Sequence, residues 1–179
     1  MSEIIRINSE NIRSALMSLQ PGQIVHLSGT IYTARDAAHK KLCQLIQNGE
    51  PLPFPLQDSI IYYAGPTPQH PDGQIGSFGP TTSKRMDAFA PILMQNGLAA
   101  MIGKGGRNAA VRTAIQENKC VYFCAYGGLG ALISKCIVSC EEIAFPELGC
   151  ESIKRLTVLD MPLLTAITPD GNSILKDTQ

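Results

Sequence analysis

The sequence contains few charged residues, and its basic and acidic residues are equal in number. Charged residues make up 17% of the 179 residues, and the formal net charge is zero. No basic tract is present, so the sequence lacks the electrostatic signature that phosphodiester binding requires. No apolar run reaches membrane-spanning length, and we expect no secretory leader before the first polar helix. These absences argue against nucleic-acid-binding and membrane-spanning proteins and favour a cytoplasmic one.

Closely spaced cysteine triplets, which are typical of iron–sulfur sites, are also missing. The six cysteines include Cys120 and Cys124, four residues apart in a predicted strand. Cys136 and Cys140 straddle the end of a predicted helix, and the other two cysteines are isolated. We therefore interpret the cysteines as small core residues with reduced thiols, and we assign no metal ligand to this sequence.

The length of the chain, 179 residues, suffices for one domain with its own hydrophobic core. We find no internal repeat, low-complexity segment or interdomain linker, and we predict a single domain over residues 1–179. Low charge together with 16 glycines and 12 prolines leaves less polar surface than a soluble monomer usually carries. This composition favours a buried interface with a partner.

Three segments share one pattern, in which an apolar run, a glycine-containing loop and a helical pattern follow one another. The three loops are 79–87, 103–107 and 127–130. This succession predicts an α/β fold, in which ligands collect beyond the carboxyl ends of the strands. Glycine in such loops allows the backbone to approach a ligand closely.

The loop 79–87, GPTTSKRMD, is the densest chemical feature of the sequence. Gly79 and Pro80 predict a turn, and Thr82 or Ser83 is a natural N-cap for a following helix. The helix N-terminus offers free N–H donors and a partial positive charge, and Arg85 adds a guanidinium that suits a carboxylate or phosphate. The loop is thus a predicted oxyanion site, with an ordinary capped helix and a solvated arginine as the alternative.

A second chemical stretch opens a helix predicted over 33–48, which Gly49 closes. Arg35 and His39 are four residues apart, so they lie on one face of the first turns. A solvated helix start would explain both residues. Histidine is, however, the side chain best suited to proton transfer near neutral pH.

The rest of the chain shows mainly strand patterns, separated by proline-rich loops. Pro91 predicts a break in any helix that runs from Ser83 to Gln95. Predicted strands are 4–7, 23–27, 29–33, 60–64, 153–160 and 163–167, predicted helices are 9–19 and 131–137, predicted loops are 50–56 and 65–74, and a hairpin arm is predicted at 173–175.

Taken together, these motifs resemble those of a known enzyme family. The loop GPTTSKRMD, the GKGG of 103–106 and the TARDAAHK of 33–40 are similar to the beta subunit of two-subunit iron–sulfur hydro-lyases, the L-tartrate dehydratases and class I fumarases. In single-chain members the same region is the C-terminal domain. The resemblance covers nearly the whole chain, and it implies a three-layer β/β/α swivelling domain with a mixed sheet and Gly-rich loops at strand ends.

The resemblance further implies a function. The chain would be the beta subunit of a hydro-lyase that reversibly dehydrates a small 2-hydroxy dicarboxylate, malate to fumarate or tartrate to oxaloacetate. A [4Fe–4S] cluster would be held by an alpha subunit in a cytoplasmic alpha2beta2 assembly, with the pocket at the subunit junction. The residues implied to bind substrate are Arg35, Thr82, Arg85, Gly79 and Gly105. The residues implied in catalysis are His39, Thr81, Lys104 and Asp36.

Several alternatives stay open at this point. Thr81 and His39 are both candidates for the base, with Thr81 favoured, and Asp36 would orient a neighbour rather than do chemistry. Instead of an enzyme, the chain could be a non-catalytic module that binds carboxylate or phosphate, and it would then bind ligand tightly on its own. A purely structural subunit would tolerate alanine at Lys104 and Arg85.

Overall fold

The computed structural model describes residues 4–67, 76–125 and 130–175. These residues form an α/β structure built on a seven-stranded mixed sheet, which confirms the predicted α/β class and the mixed sheet. The strands are β1 Ile5–Asn8, β2 Ile24–Thr33, β3 Ile60–Tyr62, β4 Ala100–Gly103, β5 Val121–Cys124, β6 Ile137–Ala144 and β7 Ile153–Ile167. The helices are α1 Ile12–Leu16, α2 Asp36–Asn48, α3 Ala90–Gln95, α4 Ala109–Glu117 and α5 Gly130–Ser134, with 3-10 turns at Ser9–Asn11, Ser83–Met86 and Pro146–Glu151.

The first five strands are parallel to their neighbours in the order β1-β2-β3-β4-β5. Their carboxyl ends therefore meet at one edge of the sheet, as the strand–loop–helix pattern predicts. Strand β7 pairs antiparallel with both β2 and β5, so it closes β2, β3, β4 and β5 into a ring. Strand β6 pairs antiparallel with the first half of β7.

Two hydrophobic clusters lie on opposite faces of this sheet. Ile60 and Tyr62 of β3 belong to one cluster, and Ile61 and Tyr63 belong to the other. Because side chains alternate along a strand, a strand buried on both faces reads as a continuous apolar run. The second cluster also takes in apolar residues of α2, α3 and α4, so these three helices cover that face.

Helix α2 begins later than the sequence predicts. Thr33 still belongs to β2, and Arg35 has an extended backbone, so the first helical residue is Asp36. The predicted end is confirmed, since Gly49 adopts the left-handed conformation (φ 68°) and its N–H donates to the carbonyls of the last turn. The site residues 35 and 36 thus lie at the junction between a strand and a helix.

Several predicted element boundaries are wrong because long-range pairing overrides local pattern. The predicted strands 23–27 and 29–33 are one strand, β2, whose register shifts between Leu27 and Gly29. The predicted strands 153–160 and 163–167 are likewise one strand, β7. Most of the predicted loops 65–74 and 127–130 lies outside the described residues.

The region after α5 was also predicted wrongly. Strand β6 begins at Ile137, where the sequence predicts the end of the helix 131–137, so Cys140 lies in a strand. The predicted hairpin arm is reduced to a bridge between Ile167 and Ser173. In the described ranges, no helix has the length and hydropathy needed to cross a membrane.

Candidate functional site

The carboxyl ends of β2, β3 and β4 bring together three predicted site segments, residues 33–40, 79–87 and 103–107. Arg35 follows β2, and Lys104 follows β4 directly. Between them, the Thr81 N–H donates to the Tyr63 carbonyl just beyond β3, at 2.6 Å. The first loop therefore lies across the end of β3, and the end of β4 lies beside it.

Loop 79–87 contacts Lys104 through its backbone. The Ser83 N–H donates to the Lys104 carbonyl at 3.0 Å, and Thr82 forms a parallel bridge with Lys104. Exposed residues on this surface are Gly79, Thr82, Arg85, Lys104 and Gly105, and Thr81 is half-buried. The charged and hydroxyl groups of the two loops are thus presented side by side.

Arg85 ties the same loop to the start of α2. Its Nε lies 2.9 Å from Oδ1 of Asp36, and their side chains are 51% and 30% exposed. Arg35 immediately precedes Asp36, so its backbone lies at the same helix N-terminus. The structure therefore groups the residues that the sequence analysis took from two distant motifs.

Glu151 holds Arg35 from the other side, and sequence reasoning missed it. Its Oε1 lies 3.2 Å from Nη2 of Arg35, and its Oε2 accepts the Ala37 N–H at 3.1 Å, which satisfies a free donor of the first turn of α2. The Arg35 side chain passes over Gly65, where an added Cβ would come within 3.2 Å of Nη1 and within 2.7 Å of the Cys150 carbonyl. Glycine is therefore required at this crossing.

The start of α2 also carries buried polar atoms without a partner. Four such side-chain atoms occur in the described part of the chain, and three of them are Arg35 Nε, Asp36 Oδ2 and His39 Nε2. Folded proteins satisfy the large majority of buried polar atoms, so a cluster of exceptions calls for a specific explanation. Here the three atoms fall within the segment where the motifs predict ligand binding.

His39 lies beneath this surface rather than on it. The side chain is fully buried, and its ring meets the Tyr63 ring edge-on with centroids 5.2 Å apart. Nδ1 lies 2.9 Å from the Arg35 carbonyl, so a neutral ring donates there and leaves Nε2 as an acceptor. Burial lowers the pKa of His39 from 6.5 to about 4, and the hydrogen bond to the Arg35 carbonyl opposes that shift. The imidazole is consequently neutral at pH 7.

The predicted helix cap in the first loop is wrong. Ser83–Met86 forms a single 3-10 turn, and the Thr82 side chain makes no capping hydrogen bond. The Ser83 hydroxyl instead lies 2.9 Å from the Tyr122 hydroxyl. Helix α3 begins only at Ala90, with Pro91 in its first turn, so the predicted break at Pro91 is confirmed. The anion-binding capacity of the loop thus rests on its side chains and backbone amides, since no long helix begins there.

A buried ion pair lies below the exposed loops, and it too was missed. Arg107 Nε lies 2.7 Å from Asp87 Oδ1, with side chains 0% and 5% exposed. The second oxygen of Asp87 accepts the Asn108 N–H at 2.8 Å. The Arg107 guanidinium lies over the rings of Tyr63 and Tyr122, 5.3 and 4.9 Å from their centroids. This pair joins the last residue of loop 79–87 to the last residue of loop 103–107.

A cavity of about 570 Å³ borders the same region. Its lining includes Pro66, Phe78, Cys150 and Lys154, but none of the predicted site cations Arg35, Arg85 and Lys104. Pro66 and Phe78 are the chain neighbours of Gly65 and Gly79, so the cavity adjoins the candidate site without enclosing it.

The thiols of this chain do not fit an iron–sulfur cluster. All six cysteines are free, and two of them, Cys43 and Cys120, are buried in the core. Over residues 4–67, 76–125 and 130–175, no three His, Cys, Asp or Glu side chains are grouped so that they could hold a metal ion.

Comparison with known proteins gives consistent matches. A family model described as the fumarase C-terminus matches residues 1–178. The chain is 37% identical over 172 residues to fumarate hydratase 2 of Leishmania major, covering 94% of this chain and 30% of that protein. It is 39% identical over 156 residues to the aerobic class I fumarate hydratase of Escherichia coli, covering 86% and 28%.

One further relative has a similar length. The chain is 38% identical over 165 residues to the putative L(+)-tartrate dehydratase subunit beta of Methanocaldococcus jannaschii, covering 89% of this chain and 85% of that protein. The chain therefore spans less than a third of the two fumarate hydratases and most of the subunit beta.

Proposed function

The chain belongs to the fumarase C-terminus family, and from this we propose that it is the beta subunit of a hydro-lyase that reversibly dehydrates a small 2-hydroxy dicarboxylate, malate or L-tartrate. The name of the Methanocaldococcus jannaschii relative, a subunit beta, supports an alpha partner. We place a [4Fe–4S] cluster on that alpha subunit, in a cytoplasmic alpha2beta2 assembly. In the same proposal, the closed ring of strands with helices on one face is the three-layer β/β/α swivelling domain.

The observation that carries this proposal is the grouping of three cations at one edge of the sheet. Arg85 pairs with the Asp36 carboxylate, Arg35 is the residue immediately before Asp36, and the Lys104 backbone is hydrogen-bonded to loop 79–87. Loss of a proton next to a carboxylate builds a dianionic, aci-carboxylate-like intermediate. Fixed cations and N–H donors around that carboxylate stabilise the developing charge. Arginine is well suited to such binding because its planar guanidinium pairs with a carboxylate through two hydrogen bonds.

The unpartnered atoms at the start of α2 support the same site. Arg35 Nε is a donor that a substrate carboxylate would satisfy, and it lies in the segment that also pairs with Arg85. In this proposal Arg35, Thr82, Arg85 and the amides of Gly79 and Gly105 bind the two carboxylates. Asp36 orients Arg85, as its hydrogen bond to Nε suggests.

For proton transfer we favour Thr81 over His39. Thr81 is half-buried at the surface of the candidate site, whereas His39 is fully buried and its ring is packed against Tyr63. A general base must come within hydrogen-bond reach of the proton that it removes. Thr81 would act as an alkoxide, its hydroxyl proton having passed to solvent and its charge being stabilised by Lys104 or an arginine. It would take the C–H proton, the C–H electron pair would form the C=C bond, and the C–O bond would break with its electron pair leaving as hydroxide. Return of the proton from Thr81 to that hydroxide would give water and restore the alkoxide. His39 would hold the Arg35 carbonyl and so position that arginine.

The exposure of Arg85 and Lys104 supports a pocket that another chain completes. In bulk water, charge–charge interactions are weak, and they strengthen several-fold when solvent is excluded. The isolated chain presents these cations on an open surface. We therefore expect the isolated beta subunit to be inactive and the complex to be active.

The test is reconstitution. The chain is coexpressed anaerobically with the alpha subunit of the same organism, the complex is loaded with iron and sulfide, and turnover is measured on malate, fumarate and both tartrate enantiomers. Each subunit alone serves as the control. Turnover of one of these acids by the complex alone is the expected result. Tight dicarboxylate or phosphate binding by the isolated chain, with no stable complex, would instead favour the non-catalytic binding module.

A further inference from the structure

We propose that the Tyr122 hydroxyl is a positioning group that sets the spacing between loop 79–87 and loop 103–107. Its consequence for turnover rests on the proposed function, because these loops carry Thr81, Arg85 and Lys104. The hydrogen bonds themselves can be tested without any assay of activity.

Tyr122 lies in β5, beside Met101 of β4, and its side chain is fully buried. Its hydroxyl donates to the Gly105 carbonyl at 2.9 Å and lies 2.9 Å from the Ser83 Oγ. A phenol has a single hydroxyl hydrogen, so Ser83 donates to Tyr122 while Tyr122 donates to Gly105. Burial raises the pKa of Tyr122, so the hydroxyl keeps its hydrogen at neutral pH.

The two loops therefore meet at two connected points. The Ser83 N–H donates to the Lys104 carbonyl at 3.0 Å, and the Ser83 side chain reaches the next residue, Gly105, through Tyr122. Ser83 thus holds the Lys104 carbonyl directly and the Gly105 carbonyl through Tyr122. The backbone that carries the Lys104 side chain is fixed relative to the turn that carries Arg85.

The close approach of the loops depends on the residue before Lys104. An added Cβ at Gly103 would overlap Ser83 Oγ, so a larger residue would force Ser83 away from Tyr122. The Tyr122 ring itself is held from below by the Arg107 guanidinium, 4.9 Å from its centroid. The hydroxyl is consequently a rigid reference point between two exposed loops.

Such spacing matters for the reaction because the charge that develops on the substrate must meet donors from both loops. A displacement of about 1 Å in a catalytic constellation can cost on the order of a hundredfold in rate. Tyr122→Phe removes only the hydroxyl and keeps the buried ring. The variant therefore isolates loop positioning from core packing.

The first experiment measures kcat and KM of the reconstituted complex with Tyr122→Phe, Ser83→Ala and the double variant. We expect each single change to lower kcat/KM roughly tenfold or more, by analogy with loss of the outer partners that orient metal ligands. The double variant should fall no further than the worse single variant, because both changes break one connected path. The matched control is Ser59→Ala, which removes a buried hydroxyl bonded to the Leu56 carbonyl just before the amino end of β3.

The second experiment measures amide hydrogen exchange in the full chain. Tyr122→Phe should speed exchange at the Ser83 amide about tenfold and leave the Tyr63 amide, bonded to the Ile102 carbonyl, unchanged. A complex that turns over normally with Tyr122→Phe, or that loses as much kcat/KM with Ser59→Ala, overturns the proposal while the proposed function stands. If the wild-type complex turns over none of the hydroxy acids, the proposed function fails. The positioning role of Tyr122 is then tested by amide exchange at Ser83 alone, and unchanged exchange in Tyr122→Phe overturns it.

Discussion

Loop 79–87 supplies one partner to each of two arginine–aspartate pairs that differ almost entirely in burial. Arg85 pairs with Asp36 at 2.9 Å, and their side chains are 51% and 30% exposed. Asp87 pairs with Arg107 at 2.7 Å, and their side chains are 5% and 0% exposed. The chemistry and the distances are nearly the same, and the two residues of the loop are only two positions apart.

Burial gives the two pairs different tasks. An exposed pair contributes at most about 1 kcal/mol, so Arg85 can exchange its carboxylate partner for a substrate carboxylate at little cost. A buried pair is held by the penalty of leaving one charge unpaired, so Asp87 and Arg107 fix the loops and cannot serve a ligand. The comparison separates a candidate binding residue from a scaffold residue within one motif.

Arg107→Met should cause the largest loss of stability. It leaves the Asp87 carboxylate buried without its cation, which typically costs about 3–5 kcal/mol. Urea denaturation of the chain measures the change, with Arg6→Met as the control, because the Arg6 side chain is 73% exposed and 3.8 Å from its partner Asp160. Adding Asp87→Asn to Arg107→Met should recover part of the loss. A loss below about 1 kcal/mol for Arg107→Met would remove the distinction between the two pairs.

Arg85→Ala should have a large effect on turnover and only a small effect on stability. Removal of one preorganised charge donor costs about 3 kcal/mol or more in kcat/KM, roughly a hundredfold. The reconstituted complex provides the assay, and Lys84→Ala is the control because Lys84 is an exposed cation of the same 3-10 turn. Wild-type turnover by Arg85→Ala would remove Arg85 from the site.

A third prediction concerns His39, the buried group next to the exposed pair. Its pKa is lowered to about 4, so the unfolded chain binds more protons than the folded chain between pH 6.5 and 4, and stability falls as pH falls through this window. The loss between pH 7 and pH 5 should be about 2 kcal/mol from this residue. Urea denaturation at the two pH values measures the loss, and His39→Gln should flatten the dependence. An equally steep dependence in His39→Gln would assign it to other groups.

The grouping of Arg35, Arg85 and Lys104 could be anticipated from the sequence because it follows from a general rule. Parallel strands put their carboxyl ends at one edge, so loops that follow several strands meet there whatever their separation in the chain. The apolar runs before Lys104 and Gly127 were sufficient to predict the strands β4 and β5.

The partners of those residues could not be anticipated, because they depend on tertiary packing. Glu151 reaches Arg35 from the 3-10 turn before β7, and no local pattern connects the two. The spacing of Arg35 and His39 predicts a shared helix face. In the structure Arg35 precedes the helix with an extended backbone, and His39 turns into the core. The sequence pattern predicts that Asp87 and Arg107 are loop residues. Only the pairing of β3, β4 and β5 places their side chains in the protein interior.

The smallest effect is expected for the stability contribution of the exposed pair itself. A double-mutant cycle with Asp36→Asn and Arg85→Ala should give a coupling energy of about 0.2–1 kcal/mol at low salt. The cycle is needed because Asp36 also lies in the first turn of α2, where its charge interacts with the helix dipole whether or not Arg85 is present. Raising the ionic strength from about 0.05 to 0.5 M should shrink this coupling, since exposed charges are screened.

The same salt change should leave the coupling between Asp87 and Arg107 nearly constant, because screening ions do not reach a pair whose side chains are 5% and 0% exposed. Denaturation midpoints of the two cycles at both salt concentrations provide the comparison. If the Arg85–Asp36 coupling equalled that of the buried pair and were equally insensitive to salt, Arg85 would be a scaffold residue. Its exchange onto a substrate carboxylate would then cost as much as opening the core.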